Sequence, residues 1–222
     1  MLTNEQIHKK TAPKKEGGDI GADQWKALTD FLFEVGMLRH TPRTGYQFLG
    51  TGRESVAEHS FRTTVVGFVL ARLAGADWAK VVLMCLFHDL HEARTGDFNY
   101  VNKLYNSSQD EQALADAWAG TGLGDEVMQM QAEMESAVSQ EAVLAQDADQ
   151  LDLLLSLKQE QDLGNPYAQR WITHALDRLR SDLGRHLAQI IMQTDHTDWW
   201  FQAADSSWWS RKNGKPANGG EE

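Results

Sequence analysis

The sequence predicts an all-α protein, a single-domain helical bundle. Long stretches repeat apolar residues every three or four positions, alternating runs of strand length are few, and the 222 residues include only four prolines. A chain of this length buries one core of ordinary size and leaves little room for a second. With 41% hydrophobic and 24% charged residues it lies in the globular range. Residues 1–22, with Lys9, Lys10, Lys14 and Lys15 and little apolar periodicity, read as a flexible arm, and 210–222 as a flexible tail, so the domain spans 23–209.

The first helix is expected from Asp23 to about Arg39, with Trp25, Leu28, Phe31 or Leu32 and Val35 as its core face and Thr41-Pro42 closing it. Arg43-Thr44-Gly45-Tyr46 reads as a turn, and an extended connector follows to Ser55. Ser55 with Glu58 three residues on has capping-box spacing and opens a helix to about Gly75. Phe61, Val65 and Phe68 on one face and Val66, Leu70 and Leu73 on another make most of its circumference apolar, so it is expected to be central. Residues 79–94 form a second central helix, ended near Thr95-Gly96-Asp97. Further helices are expected over 109–119, 125–144, 147–163 and 166–195, with Gly164-Asn165-Pro166 separating the last two.

The net charge of −11 repels nucleic-acid phosphates, so no nucleic-acid partner is expected, while a small anion in a locally basic cleft is permitted. A lone cysteine, Cys85 in an apolar run, cannot form an internal disulfide and fits a reducing cytoplasm. No apolar run reaches the ~18 residues of a membrane span and no signal peptide is visible, so no membrane partner is expected.

Polar side chains occur where the periodicity calls for apolar ones. His59 lies on a helix turn shared with Thr63 and Val66, while His88 continues the inward line of Val81 and Met84, and Asp89 that of Val82 and Cys85. Buried ionisable groups are costly unless paired or bound to a metal. Adjacent helical residues project about 100° apart, so His88 and Asp89 converge on one cation only near the boundary of their faces. His59 can supply a third ligand. The acidic cluster Asp147-Ala148-Asp149-Gln150-Leu151-Asp152, opening an apolar helix, can supply another. Imidazole with carboxylate suits Mn, Fe, Co, Ni or Zn without selecting among them.

The order His, then His-Asp, then a later Asp resembles the HD-domain metal-dependent phosphohydrolase superfamily. Pro42-Arg43-Thr44-Gly45, Glu54-Ser55-Val56-Ala57-Glu58-His59-Ser60-Phe61-Arg62 and Phe87-His88-Asp89-Leu90-His91-Glu92-Ala93-Arg94-Thr95-Gly96-Asp97 look like its 5′-deoxynucleotidase branch, over about residues 24–165. The resemblance implies an HD-type bundle with one divalent transition metal ion per chain. Its ligands would be His59, His88, Asp89 and the aspartate of Ala148-Asp149-Gln150-Leu151, with Asp147 the competing choice. It further implies a nucleotide substrate, a (deoxy)nucleoside 5′-monophosphate losing inorganic phosphate, with Arg43 and Thr44 binding it and Glu92 and Asp97 lining the cleft as catalytic and substrate-binding groups. Glu92, four residues after His88 and three after Asp89, falls on the same side of one helix. Asp97 could equally cap the next segment.

Rivals share these residues. A phosphodiesterase or pyrophosphohydrolase would use the same metal, and a non-catalytic nucleotide-binding regulator would keep the fold. A two-metal site would want more histidines, and between Asp89 and Asp149 only His91 occurs. His174, His186 and His196 read as solvated or core-capping, and Arg53 and Arg62 as surface ion pairs. Where relatives often carry lysines beside the last aspartate, this chain has Gln146 and Gln150. Trp171, Trp199, Trp200, Phe201, Trp208 and Trp209 can pack back on the bundle, form a subunit contact or stack a base. A homodimer is the expected assembly.

Overall fold

Helices account for the regular structure of residues 20–201, the part of the chain described in the computed structural model. In chain order they are α1 (Ala22–Val35), continued by a 3-10 turn (Gly36–Arg39), α2 (Tyr46–Leu49), α3 (Val56–Ala74), α4 (Trp78–Phe87), α5 (Glu92–Thr95) and α6 (Tyr100–Tyr105). There follow α7 (Asp110–Trp118), α8 (Gly124–Ser136), α9 (Gln140–Asp162), α10 (Ala168–Arg178), α11 (Asp182–Gln193) and α12 (Asp198–Phe201). The all-α expectation holds. The tail over 210–222, Trp208, Trp209 and all but the last three residues of the arm lie outside the described residues.

Caps set most helix ends. Ser55 and Glu58 form the expected capping box at the start of α3, and Gly75 ends it at φ +68. Asp77, Asn99, Ser139 and Ser181 cap α4, α6, α9 and α11 through their side chains.

Four expectations are corrected. The helix over 79–94 stops at Phe87, because the chain tightens into i→i+3 turns, Leu90 N–H to Phe87 O at 3.1 Å and Glu92 N–H to Asp89 O at 3.0 Å. The helices over 125–144 and 147–163 divide elsewhere: Ala137 turns left-handed at φ +50, Ser139 caps α9, and α9 runs unbroken to Asp162. The helix over 166–195 breaks between Arg178 and Asp182, where the buried Asp147 carboxylate accepts the Arg180 and Ser181 amides at 2.8 and 2.9 Å. A short helix, α2, interrupts the connector before Ser55.

The central element is α9, which packs against α3, α4, α8, α10 and α11. By contrast α3 is covered on one side only: Phe61 is 71% and Leu73 68% exposed, and Val65 and Phe68 also face solvent. Trp25 and Leu32 are likewise exposed on α1, whose buried anchor is Phe31.

Small residues let α3, α4 and α9 approach closely. A Cβ at Gly67 would lie 2.6 Å from Cys85 Sγ, 3.1 Å from Val81 Cγ1 and 3.6 Å from Ala148 Cβ. This junction joins the interior of α3, the end of α4 and the middle of α9, and holds together the helices that carry the embedded polar groups. Gly67→Ala gains ~1 kcal/mol of helix propensity but meets overpacking costs of ~1–3 kcal/mol. We expect a net loss of about 1 kcal/mol in urea unfolding, diminished or abolished in a Cys85→Ala background. An equal loss in both backgrounds would contradict this packing.

Candidate metal centre

The site forms where the first turn of α3, the turn after α4 and the middle of α9 meet. His59, fully buried, projects from α3; His88 and Asp89 leave the end of α4; Asp149 comes from α9. His59 Nε2 lies 3.1 Å from His88 Nε2, 3.2 Å from Asp149 Oδ1 and 3.4 Å from Asp89 Oδ2. His88 Nε2 lies 3.2 Å from Asp89 Oδ2 and 3.9 Å from Asp149 Oδ1.

These separations test whether the four groups fit one ion. Nitrogen and oxygen ligands sit about 2.0–2.2 Å from a divalent transition metal, which puts neighbouring donors about 3.0–3.5 Å apart. His59, His88 and Asp89 meet this spacing, and Asp149 meets it towards His59 at 3.2 Å but stands wider from His88 at 3.9 Å. Two imidazole nitrogens facing each other at 3.1 Å need either a shared proton or a cation between them.

The outer nitrogens are already committed. His88 Nδ1 donates to the Cys85 carbonyl at 2.8 Å, which leaves the Nε2 lone pair for a metal. His59 Nδ1 pairs with Asp152 Oδ2 at 2.6 Å, and Asp152 is itself fully buried. Arg62 Nε donates to the other Asp152 oxygen, and Arg62 Nη2 reaches Glu54 Oε1 at 3.2 Å and Ser156 Oγ.

The electrostatics call for positive charge. Burial alone would lower the His59 imidazole, but the Asp149 and Asp152 carboxylates overcome it and raise it to about 10. Asp89 is held well below the carboxylate range: His88, His59 and Arg43 outweigh its burial. In the same way the imidazoles and Arg43 hold Asp149 low against its burial. A raised imidazole beside depressed carboxylates marks a centre that favours added positive charge.

A cleft of about 370 Å³ opens beside these ligands, lined by Arg43, Glu92, Asp97 and, further out, aromatic residues. Arg43 Nη1 donates to Asp89 Oδ2 at 3.1 Å. Glu92 reaches the cleft from the tight turn and α5 rather than along one continuous helix. It is buried, and its Oε2 has no hydrogen-bond partner among the described residues. Burial, with the Asp89 and Asp97 charges, pushes its carboxyl up to about 9.

Asp97 Oδ2 accepts the Thr44 amide at 2.6 Å, and Thr44 Oγ1 donates to the Asp97 carbonyl at 2.9 Å. This clasp fixes the Arg43 turn, while Thr44 itself does not line the cleft. The next helix is capped by Asn99, so Asp97 is not its cap.

Asp147 is not near the centre: its carboxylate is taken up by the turn before α11. His91 also turns away, 3.6 Å from Asp110. Arg62 is no surface pair but part of the network beneath His59. His174 and His186 are exposed, and His196 contacts Asp162 at 3.3 Å. Gln150 donates to Asp149 at 2.8 Å and accepts from Arg178 Nη1 at 3.2 Å, whereas Gln146 donates to the Met134 carbonyl at 2.6 Å. The sequence reading missed the Asp152, Glu54 and Arg178 contacts. Its available signal was spacing, since Asp152 follows Asp149 and Arg62 follows His59 by three helical residues each.

A family model described as HD domain matches residues 35–191. The chain belongs to the HD domain family. The 5′-deoxynucleotidase HDDC2 of Homo sapiens is 29% identical over 146 residues, 62% of this chain and 70% of the relative. Its counterpart from Danio rerio is 25% identical over 191 residues, 77% of this chain and 95% of the relative. A conserved hypothetical protein from Pyrococcus furiosus superposes with a TM-score of 0.62 at 26% identity, covering 74% of this chain and 97% of the other. Among the described residues of this HD domain, no helix is long and apolar enough to cross a membrane.

The Glu92 shift has a sign that can be measured. A carboxyl whose folded value is about 9 against an ordinary 4.5 opposes folding progressively as pH rises between those values. In metal-free protein, Glu92→Gln should therefore be near neutral at pH 5 and stabilising by an order of a few kcal/mol at pH 9, read by urea unfolding. A difference independent of pH would contradict the assignment.

Proposed function

We propose that this HD protein is a divalent-metal-dependent phosphohydrolase that releases inorganic phosphate from deoxynucleoside 5′-monophosphates. The observation that carries the reading is the convergence of four metal-type donor atoms on a cleft that also holds a guanidinium and a high-pKa carboxyl. The names of the human and zebrafish relatives support the reaction class and the deoxynucleotide.

His59, His88, Asp89 and Asp149 hold the ion, one per chain, and their mixed nitrogen and oxygen set suits Mn, Fe, Co, Ni or Zn. When bound, the ion supplies Lewis acidity to the attacking water and to the phosphoryl oxygens. Arg43 binds the substrate phosphate and faces the charge that grows on its oxygens. Glu92 faces the cleft as the acid–base group, and its raised value keeps it mainly protonated near neutral pH, the form that hands a proton to the leaving oxygen. Asp97 holds the Arg43 turn through Thr44 and so keeps the guanidinium aimed.

The apolar outer face of α3, with Phe61, Val65, Phe68 and Leu73 exposed, supports a homodimer. The buried lone thiol of Cys85 supports residence in the reducing cytoplasm. In sedimentation velocity the dimer runs at twice 24.9 kDa; a single 24.9 kDa species contradicts it.

The activity test uses metal-stripped protein resupplied with Mn, Co, Ni or Zn and a panel of deoxy- and ribonucleoside 5′-monophosphates, cyclic nucleotides and triphosphates. Release of phosphate from deoxynucleoside monophosphates should require metal and vanish in Asp89→Ala. Glu92→Gln should lower kcat by roughly 10²–10⁴. Turnover confined to cyclic nucleotides or triphosphates would replace this reading with a phosphodiesterase or pyrophosphohydrolase.

A further inference from the structure

The cleft does not end at the phosphate groups. Beyond Leu153 it opens into a second, mainly apolar compartment of about 260 Å³, walled by Phe48, Tyr100, Trp171 and Arg178. Tyr100, Leu153, Trp171 and Arg178 border both spaces. Leu153 follows Asp149 by four residues on α9, so the compartment begins about one helical turn, ~6 Å, along the axis from a metal-type ligand. That offset is of the kind a pentose ring puts between a phosphate and a base.

The walls have the chemistry of a flat heterocycle's seat. Trp171 stands edge-on to Tyr100 with centroids 5.9 Å apart, and Phe48 lies 6.5 Å from Trp171. Arg178 sits 5.3 Å over the Tyr100 ring and is tied to Gln150, the neighbour of Asp149. Trp171 also rests against the Arg43-Thr44-Gly45 turn, since a Cβ at Gly45 would lie 3.3 Å from its ring. The same turn thus carries the phosphate-facing arginine and supports the aromatic wall.

We infer that the Trp171, Tyr100 and Phe48 compartment seats the nucleobase and makes the protein select nucleotides over simple sugar phosphates. The inference rests on the nucleotide phosphohydrolase reading above. Base–aromatic stacking tolerates different bases, so the seat selects for the presence of a base more than for its identity.

The test combines binding and turnover with Trp171→Ala and the conservative Trp171→Phe. Calorimetry on deoxyadenosine, which lacks phosphate, should show binding to the wild type that weakens about tenfold or more in Trp171→Ala and largely returns in Trp171→Phe. In turnover, Trp171→Ala should raise KM for deoxyadenosine 5′-monophosphate by a similar factor with kcat little changed. Its kcat/KM for deoxyribose 5-phosphate, which lacks the base, should fall by a clearly smaller factor, the part due to looser support of the Arg43 turn. Equal losses on both substrates, or no binding of deoxyadenosine by the wild type, would overturn the base seat while leaving phosphate release intact. Trp171-dependent binding without phosphate release would retain the seat and remove the hydrolase reading.

Discussion

The contact between His59 and Asp152 holds the rest of the site in place. Both side chains are fully buried, they come from different helices, and their 2.6 Å contact joins the start of α3 to the middle of α9. A buried charged pair is tolerable only if its remaining valences are satisfied, and here Arg62 donates to Asp152 and is itself held by Glu54 and Ser156. Because Asp152 takes Nδ1, Nε2 must face the cleft. The metal-type donors therefore owe their orientation to a layer of residues that touches no substrate.

Parts of this arrangement were legible in the sequence and parts were not. The capping box at Ser55 reads directly, because it is a local hydrogen-bond pattern with fixed spacing. His59, His88 and Asp89 stand out because ionisable groups interrupt apolar periodicity. The break at His88 does not read, since the apolar pattern passes through Leu90 while the backbone tightens. Asp147 and Asp149 lie on one helix two residues apart and point about 200° apart, so only the packing of α9 decides which faces the imidazoles. The stripe of Phe61, Val65, Phe68 and Leu73 has core-like periodicity yet faces solvent, because periodicity does not report what covers a face.

In a chain with a net charge of −11, the cleft too holds more carboxylates than cations, so an anion entering it depends on a few cationic groups and on the positive charge that the metal-type donors call for. Arg43, Lys103 and Arg178 border the cleft, and the metal-type donors lie at its inner end. From that end outward the lining changes from charged to aromatic. The cleft thus runs from the place for a phosphoryl group to the place for a base, and the Arg43-Thr44-Gly45 turn, held by Asp97, touches both regions.

The central claim is that His59, His88, Asp89 and Asp149 hold one ion. X-ray absorption at the zinc edge of protein loaded with one equivalent of zinc tests it most directly. The account predicts a shell of nitrogen and oxygen at about 2.0–2.2 Å with the scattering of two imidazoles, no sulfur and no second metal nearby. A sulfur shell, a single imidazole or a metal–metal vector would contradict it.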